Sequence, residues 1–166
     1  MSVKTLTRMA LLSSVMMVLS YIERQIPAVS TVPGIKLGLA NTVLLYAIYL
    51  MKPRHAWALM VIKVGIAGLV YLNGMAMLYS LGGGILSLAA MYLVKRIPGI
   101  SIVGVSVVGA LAHIAGQMAV AAWTLQTQAL LAILPVYMAL SAATGLVTGI
   151  AAKYVNAALE KSGWSR

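Results

Sequence analysis

The chain has no cysteine and no aspartate, and its only acidic residues are Glu23 and Glu160. Without cysteine, disulfides, thiolate chemistry and iron–sulfur ligation are excluded. Two carboxylates leave almost no scope for catalysis by paired acids, and two histidines without acidic or thiol partners make a poor metal site. No glycine-rich loop is followed by Lys-Ser or Lys-Thr, the pattern that cradles nucleotide phosphates. We therefore expect no catalytic residue, no metal, no cofactor and no enzyme activity.

Charge is also scarce, since charged residues make up 8% of the chain and hydrophobic residues 62%. A soluble domain with this balance would expose a very large apolar surface. Crossing a bilayer takes about 20 helical residues. Apolar runs of about that length occupy residues 6–22, 35–51, 56–72, 75–94, 100–125 and 129–152. The pattern predicts an all-α integral membrane protein, with six transmembrane helices in a single domain over residues 1–166.

The basic residues lie between the apolar runs, although the net charge is +10. Because they form no single stripe or patch, a nucleic-acid partner is not expected. An even number of spans puts both termini on one side, and basic residues favour the cytoplasmic side. Cytoplasmic termini leave Arg24 and Lys36 outside and Lys63 embedded, with nine basic residues inside: Lys4, Arg8, Lys52, Arg54, Lys95, Arg96, Lys153, Lys161 and Arg166. This predicts a multi-pass protein of the bacterial cytoplasmic membrane with both termini cytoplasmic.

The longest connection runs from residue 23 to residue 36 and lies outside in this topology. It contains Pro27, Pro33 and Gly34, which stop helices and fix turns. Long loops in compact domains are usually functional, so we expect a lid over an outward-facing pocket. The alternative is a simple connector.

Residues 33–41 read Pro-Gly-Ile-Lys-Leu-Gly-Leu-Ala-Asn, which places a cation, two glycines and an amide at the beginning of the second run. Unbonded N–H groups at a helix N-terminus, together with Lys36, would stabilise an anionic or polar ligand at the outer membrane surface. Lys36 and Asn41 are therefore candidate substrate-binding residues. Alternatively, Gly38 only permits close helix packing and Lys36 extends to the headgroups.

This stretch closely resembles the motif of the heptaprenyl diphosphate synthase component I family, also called the Gx transporter family. That family is similar to the substrate-binding S components of energy-coupling factor vitamin transporters. The resemblance implies a six-helix S-component-like bundle, a pocket closed by the loop after the first helix, and partners comprising a membrane coupling subunit and two ATPase subunits. It also implies docking through a small-xxx-small motif on the first helix, for which the matching positions are Ala10 and Ser14.

Four further polar residues are candidates for substrate binding. Lys63 lies inside the third run, where a charge costs about 3 kcal/mol unless it is paired or hydrated. It could contact a ligand, extend toward the cytoplasm or contact a partner. His113 and Gln117 share a helical face and could bind substrate or join neighbouring helices. Asn73 falls toward an outer helix end, beside aromatic residues of the kind that line membrane interfaces.

The fourth run contains Gly82, Gly83 and Gly84 in succession. Because each glycine weakens a helix, we expect this helix to be bent or broken near its middle.

Two classes of function fit these features. The first is a substrate-binding component of an importer for a small molecule such as a vitamin or precursor, energised by partner ATPases. The second is a non-catalytic membrane accessory subunit in polyprenyl diphosphate or quinone metabolism, or in an associated membrane redox system. Direct prenyl-transfer catalysis is not expected, because that chemistry holds magnesium and pyrophosphate with aspartate-rich motifs and the chain has no aspartate.

Overall fold

A computed structural model describes residues 3–25, 38–71 and 74–161 of the chain. Within these ranges the only regular secondary structure is α-helix: α1 (Val3–Arg24), α2 (Asn41–Leu50), α3 (Pro53–Tyr71), α4 (Gly74–Lys95), α5 (Ile102–Thr124) and α6 (Leu130–Lys161). Five of them are long and apolar enough to cross a membrane. The predicted all-α, multi-pass membrane class is thus confirmed. Lys36 and Asn73 lie outside the described residues, as does most of the predicted lid.

The second helix is much shorter than the apolar run at 35–51 predicts. It has ten residues, which span about 15 Å, whereas a hydrocarbon core is about 30 Å thick. Residues 38–40 form a turn and not a helix, and Gly38 has a φ of +94°. The prediction of a full-length second span was therefore wrong for these described residues, because hydropathy cannot distinguish an apolar turn from an apolar helix.

α2 is the centre of the bundle. It is apolar on nearly all sides, which is typical of a helix buried on every face, and seven of its ten residues are buried. It contacts all five other helices. In the part of the chain that the structure describes, α1 and α6 do not contact each other, so they flank α2 with a gap between them.

The three consecutive glycines do not break α4, which runs without interruption from Gly74 to Lys95. The expected break was wrong because the glycines serve close packing against α5. A Cβ atom at Gly116 would lie 2.6 Å from the carbonyl oxygen of Gly82 and 2.9 Å from the Cα of Gly83. Small residues allow helix backbones to approach in this way where lipid provides no hydrophobic drive. α4, α5 and α6 accordingly form the most extensively packed part of the bundle.

Candidate functional site

The candidate site lies inside the bundle and not at its surface. Met51 and Lys52 connect α2 to α3, so the two helices form an antiparallel hairpin. Asn41 lies about 15 Å before this turn, and Lys63 lies about 15 Å after the beginning of α3 at Pro53. The two residues therefore meet at one level near the middle of a membrane-sized bundle. The expectation that Asn41 lies at the outer membrane surface was wrong, because α2 is too short to reach it from the turn.

Lys63 and Asn41 form a buried hydrogen bond. The Nζ of Lys63 donates to Oδ1 of Asn41 at 3.0 Å, and each residue is only 7% exposed. Because a lysine can only donate, this bond fixes the amide orientation and directs Nδ2 of Asn41 away from Lys63. That Nδ2 is buried and has no hydrogen-bond partner among the described residues. The Lys63 ammonium thus forms a hydrogen bond inside the bundle.

Gly38 contacts residues of two further helices, α1 and α5, at this point. Its N–H donates to the carboxylate of Glu23, at the end of α1, and Glu23 is buried. A Cβ atom at position 38 would lie 2.8 Å from Nδ2 of Asn41 and 3.1 Å from Cδ2 of His113. Only glycine fits here, both for space and for its positive φ. Glu23 is therefore a buried acid within the bundle.

His113 and Gln117 both lie on the side of α5 that faces the interior of the bundle. The side-chain amide of Gln117 hydrogen-bonds Nε2 of His113, and the two side chains are at most 1% exposed. Gly83 of α4 packs directly on them, since a Cβ there would lie 2.7 Å from Cγ of Gln117 and 2.8 Å from Nδ1 of His113. The structure thus brings Asn41, Lys63 and His113 into one neighbourhood, with Gln117 adjoining through His113.

The backbone N–H groups at the beginning of α2 are not available to an anion. The N–H groups of Asn41, Thr42 and Val43 donate to the carbonyls of Gly38, Leu39 and Ala40. The expected anion site built from unbonded helix N-terminal donors was therefore wrong for these three groups, because the turn at 38–40 satisfies them. Any ligand recognition at this point falls to side chains.

A small cavity adjoins Asn41 between α2, α4, α5 and α6. Its walls include Gly38, Thr42, Ser106 and Thr148. The centre of a water molecule can occupy a volume of about 10 Å³ inside it. This is room for one water or one ligand oxygen. The cavity gives Asn41 a place where a single hydrogen-bond acceptor could sit.

The predicted docking residues lie on a different face. Ala10 and Ser14 are exposed on α1 and line a shallow groove with Ile62 and Ile66 of α3. The hydroxyl of Ser14 donates to the carbonyl of Ala10, so it presents little unsatisfied polarity to lipid. This groove is lined mainly by apolar side chains, and Lys63 and Asn41 are not among its lining residues.

Glu23 and Gly38 are the site residues that sequence reasoning missed. Glu23 stands next to Arg24 at the end of an apolar run, where it reads as an interfacial pair. Its one distinguishing signal is that the chain has a single other acid, far away at Glu160. Across the described residues, no group of three or more His, Cys, Asp or Glu side chains could hold a metal ion.

The fold and the buried polar residues define a multi-pass helical membrane protein with a polar site in its interior. The sequence profile of the family described as heptaprenyl diphosphate synthase component I matches residues 12–155. Since the match covers most of the chain, the protein belongs to this family, as residues 33–41 predicted. No curated protein and no solved structure gives a significant match to the chain.

Proposed function

We propose that the chain is the substrate-binding membrane component of an importer of the energy-coupling factor type. It would bind a small molecule such as a vitamin or precursor, and partner ATPases would supply the energy. The observation that carries this proposal is the buried hydrogen bond between Lys63 and Asn41, beside His113. A cation inside the hydrocarbon region is costly and by default marks a substrate or ion site.

The site suits a polar ligand group that enters the bundle. Lys63 can only donate hydrogen bonds and Asn41 can donate and accept, while the imidazole of His113 can donate or accept at Nδ1, since Nε2 bonds Gln117. Gln117 orients the imidazole through its hydrogen bond. Lys36 and Asn73, which lie outside the described residues, are retained in this proposal as further ligand contacts.

The proposed partners dock on the exposed face of α1. Ala10 and Ser14 there would let a helix of the coupling subunit approach closely, and two ATPase subunits would bind that subunit. This assignment is supported by exposure: Ala10 and Ser14 are exposed on α1, whereas Lys63 and Asn41 are buried and do not line the groove at Ala10 and Ser14. Binding and energising would thus be divided between this chain and its partners, and the chain itself would not be an enzyme.

A second candidate is a non-catalytic accessory subunit that presents a prenyl or quinone precursor to a synthase or a membrane redox system. The family description names a component of a prenyl diphosphate synthase, and the gap between α1 and α6 is lined by apolar side chains. Both features suit a membrane subunit that handles a lipophilic molecule.

Affinity purification of the tagged chain from its native membranes separates the two candidates. The importer proposal expects an integral coupling subunit and two ATPases to copurify in stoichiometric amounts. Native mass spectrometry of the same complex should detect a retained small molecule. Copurification of a prenyl synthase or a redox enzyme, without any ATPase, would contradict the importer and support the accessory subunit.

A further inference from the structure

A second feature of the bundle is an apolar groove on its outer face, beside the polar site. It lies between α1 and α6, with α2 as its floor, and its walls include Leu11, Val15, Val147 and Ala151. Its volume is about 500 Å³, within the range of about 300–1,000 Å³ that is typical of small-molecule sites. Almost no polar atom is exposed along it. The groove therefore suits an aliphatic or prenyl chain that enters from the bilayer.

The groove and the small polar cavity are neighbours, because Thr42 and Thr148 line both. The hydroxyl of Thr42 donates to the carbonyl of Leu39 at 2.7 Å, and that of Thr148 donates to the carbonyl of Gly145 at 3.2 Å. Their donors are thus satisfied within their own helices or turns. These two threonine hydroxyls therefore do not compete with the cavity for an oxygen of a chain in the groove.

Asn41 lines the cavity. Its Oδ1 accepts from Lys63, while its Nδ2 has no partner among the described residues and the residue is 7% exposed. A buried amide donor of this kind needs an acceptor oxygen. The space for that oxygen is about the size of one water position, so it excludes a phosphate or a diphosphate.

We propose that the groove and the cavity together bind an amphiphile with one long apolar chain and a small oxygen-bearing head, such as a hydroxyl, ketone or quinone carbonyl, whose oxygen accepts a hydrogen bond from Nδ2 of Asn41. This inference rests on the proposed function and names its substrate class. A partner helix in the groove would leave Nδ2 without an acceptor, because the carbonyls of a helix are bonded within it. A phospholipid headgroup is too large for the cavity.

Photolabelling tests the inference. The full-length protein is placed in phosphatidylcholine nanodiscs with hexadecanol that carries a diazirine on its chain, and labelled residues are mapped by mass spectrometry. We expect saturable labelling along the groove, on residues such as Val15 and Val147. Unlabelled hexadecanol should compete at roughly tenfold lower mole fraction than hexadecane, since one hydrogen bond distinguishes them.

Val147→Trp should abolish the saturable labelling, because the indole would fill the groove. Leu146→Trp is the matched control: it is the neighbouring lipid-exposed residue of α6, it does not line the groove, and its labelling should be unchanged. Comparison of hexadecanol with hexadecane on the unsubstituted protein requires no variant and gives an independent measurement.

Three outcomes would overturn the inference: labelling that does not saturate, equal competition by hexadecanol and hexadecane, or a saturable crosslink from this face to another polypeptide. These outcomes are distinguishable from a failure of the proposed function. If coupling and ATPase subunits copurify while the chain retains only a water-soluble molecule, the importer stands and the amphiphile is refuted. If labelling succeeds while no ATPase copurifies, the importer fails and the amphiphile site stands.

Discussion

Replacing Gly38 by alanine is the sharpest test of the buried site. The residue has a φ of +94°, a region that costs a residue with a Cβ about 1–2 kcal/mol. The new methyl group would lie 2.8 Å from Nδ2 of Asn41, so the amide must move and loosen its bond to Lys63. A hydrogen bond to a charged group is worth about 1.5–3 kcal/mol. Together these effects should lower the free energy of unfolding by about 2.5–5 kcal/mol.

The loss can be measured by equilibrium unfolding in mixed micelles with increasing SDS, followed by circular dichroism. Gly65→Ala is the matched control, because a Cβ at that α3 position meets no atom within 4 Å. Alanine there should be neutral or should stabilise the helix by about 0.5–1 kcal/mol. If Gly38→Ala and Gly65→Ala unfold at the same SDS concentration, the packing of Gly38 against Asn41 and His113 is refuted.

Three further predictions follow from other contacts. In a double-mutant cycle, Lys63→Met and Asn41→Leu should show a coupling energy of about 1.5–3 kcal/mol in the same unfolding assay. The reason is that each single change removes their shared hydrogen bond and leaves the other polar side chain buried. Gly116→Ala should destabilise the bundle by about 1–3 kcal/mol, since its methyl group would overlap the Gly82 carbonyl oxygen on α4. Ala10→Trp and Ser14→Trp should abolish copurification of the coupling subunit while a retained ligand stays bound, because both positions are exposed whereas the site residues are buried.

Each of these three has a control. Additive effects of the Lys63 and Asn41 substitutions, within about 0.5 kcal/mol, would contradict their hydrogen bond. Gly65→Ala serves again for Gly116→Ala, and equal stability of the two variants would contradict close packing of α4 on α5. For docking, Leu140→Trp places the same indole on an exposed position of α6. Loss of partners in this variant as well would show a general effect of the indole and not an interface on α1.

The membrane class was predictable because it depends on summed hydrophobicity. A run such as 100–125 contains enough apolar residues to cross a bilayer wherever its neighbours lie, and α5 occupies most of that run. The spacing of His113 and Gln117 was equally informative, since residues four apart share a face in any helix. Both properties are local, so the sequence carries them directly.

The depth of the site was not predictable, because it depends on where α2 begins. The apolar residues around Gly38 have the same hydropathy in a turn as in a helix, and only the positive φ of Gly38 separates the two. Glu23 was missed for a related reason. It accepts a hydrogen bond from Gly38, fifteen positions later in the chain. A pattern of neighbouring residues does not indicate such a contact.

The brevity of α2 also bears on how the protein is made. A ten-residue helix is too short to remain in a bilayer by its own hydrophobicity, and isolated helices of this length are marginal even in water. α2 is nevertheless translated before four of the five helices that enclose it. Its stable insertion therefore has to await α3 to α6. Biogenesis cannot then proceed as a series of independent hairpins. It must include a late step in which the later helices pack around a segment that has already been synthesised.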